Sequence, residues 1–103
     1  MEDNQPEKTV LQAAREAMNL SLQNLADEVG SNIASLSRIE HAKQLPNRDL
    51  ARRIFEFYGG VITLGEVYDP GFSAAPLDDG RAGKLRRLAR TMLRRDTGPI
   101  ASI

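Results

Sequence analysis

The side chains of this chain that could do chemistry are suited to binding rather than to catalysis. The sequence has no cysteine, no phosphate-cradling glycine motif and one histidine, His41, for which a helix C-cap or a phosphate contact is the simpler role. Its acidic residues lack metal-ligand spacing, so we interpret them as solubilising charge. Arg38 carries a planar guanidinium that can donate two parallel hydrogen bonds to one acceptor group, unless it is merely solvated. We therefore expect no enzyme, no metal and no cofactor.

Two predicted helices joined by a tight turn position Arg38. The first starts at Ser21, whose hydroxyl can cap free amides, and stops at Gly30. Asn32 can cap the next helix, predicted over residues 33–42, and so short a connection forces the two helices to cross steeply. Apolar residues at helical spacing mark the core-facing sides: Leu22, Leu25, Ala26 and Val29 in the first helix, Leu36 and Ile39 in the second.

A preceding helix is predicted over residues 10–18, with Thr9 as its cap. Its apolar stripe consists of Leu11, Ala14 and Met18, and Arg15 lies on the same stripe. An arginine that faces a core must be paired or must reach water along its stem. Glu40, on the inner side of the helix that carries Arg38, is the natural partner. We therefore predict a structural ion pair between Arg15 and Glu40.

Two further helices are predicted before residue 70. Asn47 begins one that ends at Gly59, and Thr63 caps a short one over residues 64–68. Phe55 falls beside the apolar stripe of the longer helix and is either a partly buried flank residue or an anchor for a partner. That stripe consists of Leu50, Ala51, Ile54, Phe57 and Tyr58.

The end of the chain differs from the rest in charge and pattern. Residues 1–70 carry seven basic and eleven acidic residues, a net charge of −4, whereas residues 71–103 carry +4. A final helix is predicted over residues 80–95, and its apolar stripe must dock on this chain's own core, on a second copy or on another protein. We favour dimer formation or docking, which leaves the arginines free for phosphates. The stripe consists of Ala82, Leu85, Leu88, Ala89 and Met92, with Leu93 at its edge, and Lys84, Arg86, Arg87, Arg90, Arg94 and Arg95 face away from it.

Length and composition indicate one small domain with appendages. We predict a flexible arm over residues 1–8, a domain over 9–70, a linker over 71–79 and a disordered tail over 96–103. No apolar run approaches the ~20 residues needed to cross a bilayer, and the N-terminus lacks the pattern of a signal peptide. We therefore expect a cytoplasmic protein that does not associate with membranes.

A series of short motifs runs through the predicted helices: Leu20-Ser21, Leu25-Ala26, Val29-Gly30, Leu36-Ser37-Arg38-Ile39-Glu40, Leu45-Pro46 and Leu50-Ala51-Arg52-Arg53-Ile54. Through these motifs the chain resembles the helix-turn-helix family of the Cro and phage-repressor (XRE) type, over roughly residues 10–68. Asn19 and Ala42 stand where that family usually has glycine; asparagine tolerates left-handed backbone, and alanine does so less readily. The resemblance implies an all-α fold, a five-helix repressor-like bundle, here with an additional basic C-terminal amphipathic helix.

In helix-turn-helix proteins the third helix enters the major groove by its N-terminal end, and the second lies across the DNA backbone. The resemblance therefore implies that this chain binds double-stranded DNA through the helix at residues 33–42. Ile33 and Ala34 cannot donate a side-chain hydrogen bond, so they would contact a thymine methyl group, or Ile33 closes the edge of the core. The candidate base-reading residues are Asn32, Ile33, Ala34, Ser35, Ser37 and Arg38.

Free amides at the starts of the second and fourth helices can bind phosphates. Such contacts position a protein on DNA without reading its sequence. The loop after the third helix is also expected to contact phosphates, although Lys43 there could equally be a solvated charge. The phosphate candidates are Ser21, Gln23, Lys43, Gln44, Asn47 and Arg48.

One module of this size offers few base contacts, so useful specificity normally requires two copies on half-sites about one helical turn apart. We therefore predict a sequence-specific transcriptional regulator, a repressor that binds a near-palindromic operator as a homodimer. The alternative is an antitoxin-like or adaptor protein whose helix-turn-helix domain and C-terminal helix bind a protein partner. The predicted dimer or partner interface contains Phe55, Val61, Leu64, Val67, Tyr68, Leu85, Leu88 and Met92.

Overall fold

The computed structural model describes the backbone of residues 8–71 and 77–101, with side chains as far as Met92. The predicted arm up to residue 7 lies outside the described residues, as does most of the predicted linker. The described part contains six helices and no strand, which confirms the predicted all-α fold. The helices are α1 Val10–Ala17, α2 Leu22–Val29, α3 Ile33–Glu40, α4 Arg48–Phe57, α5 Leu64–Tyr68 and α6 Asp79–Ala101.

Side-chain caps fix where the first five helices begin. In each case the residue before the helix has extended backbone, and its side-chain oxygen accepts a hydrogen bond from an amide of the first turn. Each such cap satisfies a donor that the helix cannot satisfy itself and stabilises it by ~1 kcal/mol. Four of the capping residues, Thr9, Ser21, Asn32 and Thr63, were predicted as caps from the sequence. The fifth is Asn47, which with Pro46 was predicted to mark the start of the fourth helix.

Left-handed backbone follows several of these helices. Gly30 ends α2 at a φ of 72°, and Asn19 and Ala42 have φ values of 60° and 62°. Asparagine visits this region readily, whereas an alanine there brings its Cβ too close to the following carbonyl oxygen. Ala42 is therefore a strained position immediately after the third helix and its cap, His41.

One hydrophobic core receives buried side chains from all six helices. Tyr58, at the end of α4, is fully buried in its centre, and its hydroxyl has no hydrogen-bond partner among the described residues. Burial raises the pKa of this hydroxyl well above its ordinary value. Leu22, which was assigned to the core, is partly buried against it.

The final helix α6 docks on this core, chiefly against α1. Leu85 is completely buried, and a Cβ placed on Gly59 would lie 3.5 Å from Leu88 Cδ2. The sequence left three surfaces on which this apolar stripe could dock. In the structure it docks on the first of them, this chain's own core. Partly buried stripe residues that pack on the core are Leu88, Ala89 and Met92, joined from the preceding segment by Leu77.

The extent of α6 differs from the prediction. The helix continues to Ala101, so its predicted end at Arg95 and the predicted disorder of residues 96–101 are corrected. Once a helix is nucleated, each added residue gains a backbone hydrogen bond, so it can continue beyond the point where packing stops. Among the described residues, no helix has the length and apolar character to cross a membrane.

Candidate nucleic-acid interface

The turn between α2 and α3 is fixed by backbone geometry and by one side chain from α4. Gly30 adopts left-handed backbone, and both its amide and that of Ser31 donate to the Ala26 carbonyl, the latter at 2.9 Å. Arg53 Nη1 donates to the Val29 carbonyl at 3.3 Å, which satisfies an acceptor that the helix end leaves free. These bonds hold α3 in a defined orientation relative to α2.

The N-terminal half of α3 presents a polar and apolar mixture to solvent. Leu36 and Ile39 are buried, as predicted, and the opposite side of the helix is open. Ile33 is 43% exposed, which favours a surface role over closure of the core edge. Of the predicted base-reading residues, Asn32, Ile33, Ala34 and Arg38 are exposed, while Ser35 and Ser37 are half-buried.

Arg38 is held by a residue that the sequence analysis did not connect with it. Its Nε donates a hydrogen bond of 2.8 Å to Gln44 Oε1, in the loop after α3. The same loop is tied back by Lys43, whose amide donates to the Arg38 carbonyl at 2.8 Å. Because the side-chain bond uses Nε alone, the two terminal nitrogens of the guanidinium remain available for a bidentate acceptor.

His41 serves the structure rather than chemistry. As the Nδ1–H tautomer it donates to the Ser37 carbonyl at 2.7 Å, and its backbone caps the end of α3. The described residues contain no group of three or more histidine or acidic side chains that could hold a metal ion.

Several predicted phosphate contacts are already engaged within the protein. The side-chain oxygens of Ser21 and Asn47 accept cap hydrogen bonds, and the Ser21 amide donates to Asn24 Oδ1. The Ser21 hydroxyl hydrogen and the Asn47 side-chain amide nitrogen can still donate to a phosphate. Gln23 Nε2 donates to Asp27 Oδ1 at 3.0 Å. Arg48 and Lys43 are exposed at the positions predicted for backbone contact.

The N-termini of α3 and α4 open onto one polar cleft of about 370 Å³. Both helix starts contribute their cap residues to its lining, together with Arg53 from α4. Positive partial charges at two helix ends favour negatively charged groups, although Asp49 beside Arg53 reduces that preference. The cleft is lined in part by Asn32, Ser35, Gln44, Asn47 and Asp49.

The predicted ion pair between Arg15 and Glu40 is present on the inner side of α3. Arg15 Nε donates to Glu40 Oε2 at 2.8 Å, and Arg15 Nη1 donates to the Leu20 carbonyl at the same distance. The two side chains are 13% and 3% exposed. Burial raises the pKa of the Glu40 carboxyl, and the adjacent Arg15 opposes that rise. This contact anchors the inner side of α3 to α1.

The predicted interface residues divide into two groups. Leu64 is 43% exposed and lies with Phe55 and Tyr68 along a groove of about 350 Å³ between α4 and α5. Val67 and Leu85, in contrast, have no exposed surface, so their assignment to a dimer or partner interface was wrong. Both belong to the core because α5 and α6 turn their apolar sides inward. The remaining members, Val61, Leu88 and Met92, are partly buried against the core.

Arg81 is a structural residue that the sequence analysis missed. Its two terminal nitrogens donate to the two carboxylate oxygens of Glu66 at 2.8 and 3.1 Å, and Nη1 also donates to the Val61 carbonyl at 3.1 Å. These bonds hold the Glu66 pKa below its ordinary value. Arg81 lies four residues before Leu85, on the apolar stripe of α6, and that position was the available signal.

Comparison with known proteins gave one match. The family model described as helix-turn-helix matches residues 11–61, which contain α1 to α4 and the α2–α3 turn described above. Neither a curated protein nor a solved structure matched this chain significantly.

Proposed function

Because the chain belongs, through residues 11–61, to the XRE-type helix-turn-helix family of regulatory DNA-binding proteins, we propose that it is a repressor. It binds a near-palindromic operator as a homodimer. In each protomer α3 enters the major groove by its N-terminal end, and the start of α2 lies on the phosphate backbone.

The observation that carries this proposal is the state of Arg38. The guanidinium is exposed on α3, and the bond from Nε to Gln44 restricts its rotation. A restricted guanidinium loses less conformational entropy when it pairs with guanine O6 and N7. Ile33, which is exposed five residues earlier in α3, would contact a thymine methyl group.

The groove between α4 and α5 supports the homodimer. Leu64, Phe55 and Tyr68 form an apolar surface, and Arg52 and Glu56 line the same groove. Two copies related by a two-fold axis would bury this surface and could pair Arg52 of one protomer with Glu56 of its partner. The apolar stripe of α6, which an antitoxin-like protein would offer to a partner, packs on this chain's own core, and this favours the simple regulator.

A mobility-shift titration tests the proposal. The probe is the DNA upstream of the protein's own gene, with excess nonspecific competitor, at about 50 and 200 mM salt. We expect a shift that survives competitor. Arg38→Ala should weaken operator binding by about 5- to 150-fold, the equivalent of 1–3 kcal/mol for one bidentate base contact, and leave nonspecific binding nearly unchanged. Lys8→Ala is the matched control at an exposed basic residue that is not among the predicted DNA contacts.

The dimer requires its own measurement. Sedimentation of the wild type should give a dimer on operator DNA, and Leu64→Asp should reduce it to a monomer with weaker operator binding. Footprinting should then place the half-sites about one helical turn apart. A wild-type protein that sediments as a monomer both free and on DNA would contradict the homodimer.

A further inference from the structure

The face of α6 that points away from the core is strongly basic. Its exposed basic residues from the described part of the helix are Lys84, Arg86, Arg87 and Arg90, and Asp79 is an exposed acidic residue in the first turn. None of the four basic residues has an ion-pair partner among the described residues. On a helical projection they cover the side opposite Leu85. A basic surface of this kind attracts a polyanion.

The basic face is rigidly attached to the helix-turn-helix domain. Leu85 is completely buried, and Arg81 binds both oxygens of Glu66 on α5. The helix contains 23 residues, so it is ~34 Å long at the usual rise per residue. Its charges therefore occupy fixed positions relative to α3 rather than those of a flexible tail.

The course of α6 brings it beside the α1–α2 turn. Ala89 and Met92 line a groove together with Leu20 and Asn24. Ser21, which follows Leu20 directly, caps the end of α2 that lies on the phosphate backbone under the proposed function. The middle of α6, at Ala89 and Met92, is thus adjacent to an expected phosphate contact.

The charge distribution explains why such a contact would matter. Residues 1–70 carry a net charge of −4, and two of their acidic residues, Asp27 and Glu28, line the same groove as Met92. Phosphate contacts supply much of the affinity of DNA-binding proteins, and an acidic domain gains little from them. The four exposed basic residues of α6 supply positive charge that residues 1–70 lack.

We infer that the exposed face of α6, formed by Lys84, Arg86, Arg87 and Arg90, is a second DNA contact that binds backbone phosphates beside the operator half-site without reading sequence. The inference rests on the proposed function, which supplies the DNA. It assigns specificity to α3 and a large share of the electrostatic affinity to α6.

The salt dependence of binding tests this inference. Affinity is measured over a range of salt concentrations for the wild type and for Arg86→Gln/Arg87→Gln/Arg90→Gln, on operator DNA and on unrelated duplex DNA. The slope of log K against log salt should become shallower by about 2.7 in the variant, ~0.9 for each lost phosphate contact. Operator and unrelated DNA should be affected equally, so the specificity ratio stays constant. Because the three side chains are exposed, circular dichroism should report an unchanged fold.

Lys8→Gln is the control for loss of a basic charge outside α6, and it should leave the slope nearly unchanged. An unchanged slope in the triple variant would overturn the inference. So would loss of self-association with an unchanged slope, which would place the basic face against an acidic surface of a second copy. Wild-type protein that binds every duplex equally, with a slope that depends on α6, would instead refute the proposed function and leave this inference standing. Wild-type protein that binds no duplex would overturn both.

Discussion

Two arginine–glutamate pairs hold distant segments of this small protein together, and they differ in burial. Arg15 and Glu40 join α1 to α3, and their side chains are 13% and 3% exposed. Arg81 and Glu66 join α6 to α5 and are 22% and 15% exposed. The shortest nitrogen–oxygen distance is 2.8 Å in both pairs. Distance alone therefore does not distinguish them, and their energetic roles follow from their access to water.

The surroundings of the two pairs are alike in one further respect. Each arginine also donates to a backbone carbonyl in the turn after a helix: Arg15 to Leu20, after α1, and Arg81 to Val61, after α4. A single guanidinium thus satisfies a carboxylate and a carbonyl that no helix satisfies. The two carboxylates respond differently, because burial raises the pKa of Glu40 whereas the bonds from Arg81 lower that of Glu66.

The largest expected effect comes from breaking the more buried pair. Glu40→Ala leaves the Arg15 guanidinium buried without its carboxylate and should lower the free energy of unfolding by about 3–5 kcal/mol. Arg15→Met/Glu40→Met, which removes both charges, should recover most of that loss. Chemical denaturation measures both, with Glu28→Ala on the exposed side of α2 as the control. If Glu66→Ala cost as much as Glu40→Ala, burial would not be what separates the two pairs.

The next largest effect concerns the apolar packing of α6, the helix that carries Arg81. Leu85→Ala removes a fully buried side chain and should lower the free energy of unfolding by about 2–3 kcal/mol. The expected loss is in the lower part of the range usual for Leu→Ala substitutions, because α6 lies at the edge of the core and can shift to fill part of the cavity. Leu88→Ala, at a partly buried position one turn away, should cost less. Hydrogen exchange would contradict the docking of α6 if its amides were unprotected in the wild type.

The second pair should also give a characteristic acid dependence. Because Arg81 holds the Glu66 pKa below its ordinary value, the pair stabilises the fold above the ordinary glutamate pKa of ~4.3. That stabilisation is lost as the pH falls from there through the lowered pKa. Glu66→Gln should lack this part of the pH dependence in denaturation curves. Glu40 contributes with the opposite sign, since its raised pKa favours the folded state at low pH and this contribution is lost as the pH rises through that pKa.

The smallest expected change in the free energy of unfolding concerns left-handed backbone in the turns near the two ion pairs. The turns near Glu40 and Arg15 place Ala42 and Asn19 in left-handed backbone, whereas the turn before α5 uses Gly59 and Gly60. Ala42→Gly should relieve strain and raise the free energy of unfolding by about 0.5–1 kcal/mol, after allowance for the greater freedom of glycine in the unfolded chain. Asn19→Gly should have less effect, as a thermal melt can show. Equal gains at both sites would argue that strain at Ala42 is not the cause.

Much of the fold was readable from the sequence because its determinants are local. The cap residues and the apolar spacing identified five helix starts, and the bounds predicted for α5 agree with the structure. The partner of Arg15 was predictable for the same reason: a charge on an apolar stripe requires a partner on the facing helix. Arg81 is a second charge of this kind, since it lies on the apolar stripe of α6 and its partner, Glu66, is on the facing helix α5.

What the sequence did not specify is which surface covers each apolar stripe. Periodicity marks Val67 and Leu85 as apolar-facing, but it does not distinguish the core of this chain from that of a partner, and here the core covers both. The bond between Arg38 and Gln44 also escaped prediction, because it depends on the path of a loop that has no periodic pattern. Both cases require tertiary geometry.

The buried ring of Tyr58 makes the interior of this protein optically accessible. The chain has no tryptophan and only two tyrosines, so its near-ultraviolet absorbance comes chiefly from these two rings. Since burial raises the Tyr58 pKa, its tyrosinate band should develop in alkali only when the core opens. A stopped-flow jump to alkaline pH would therefore time the opening of the core on which all six helices converge, without any added dye.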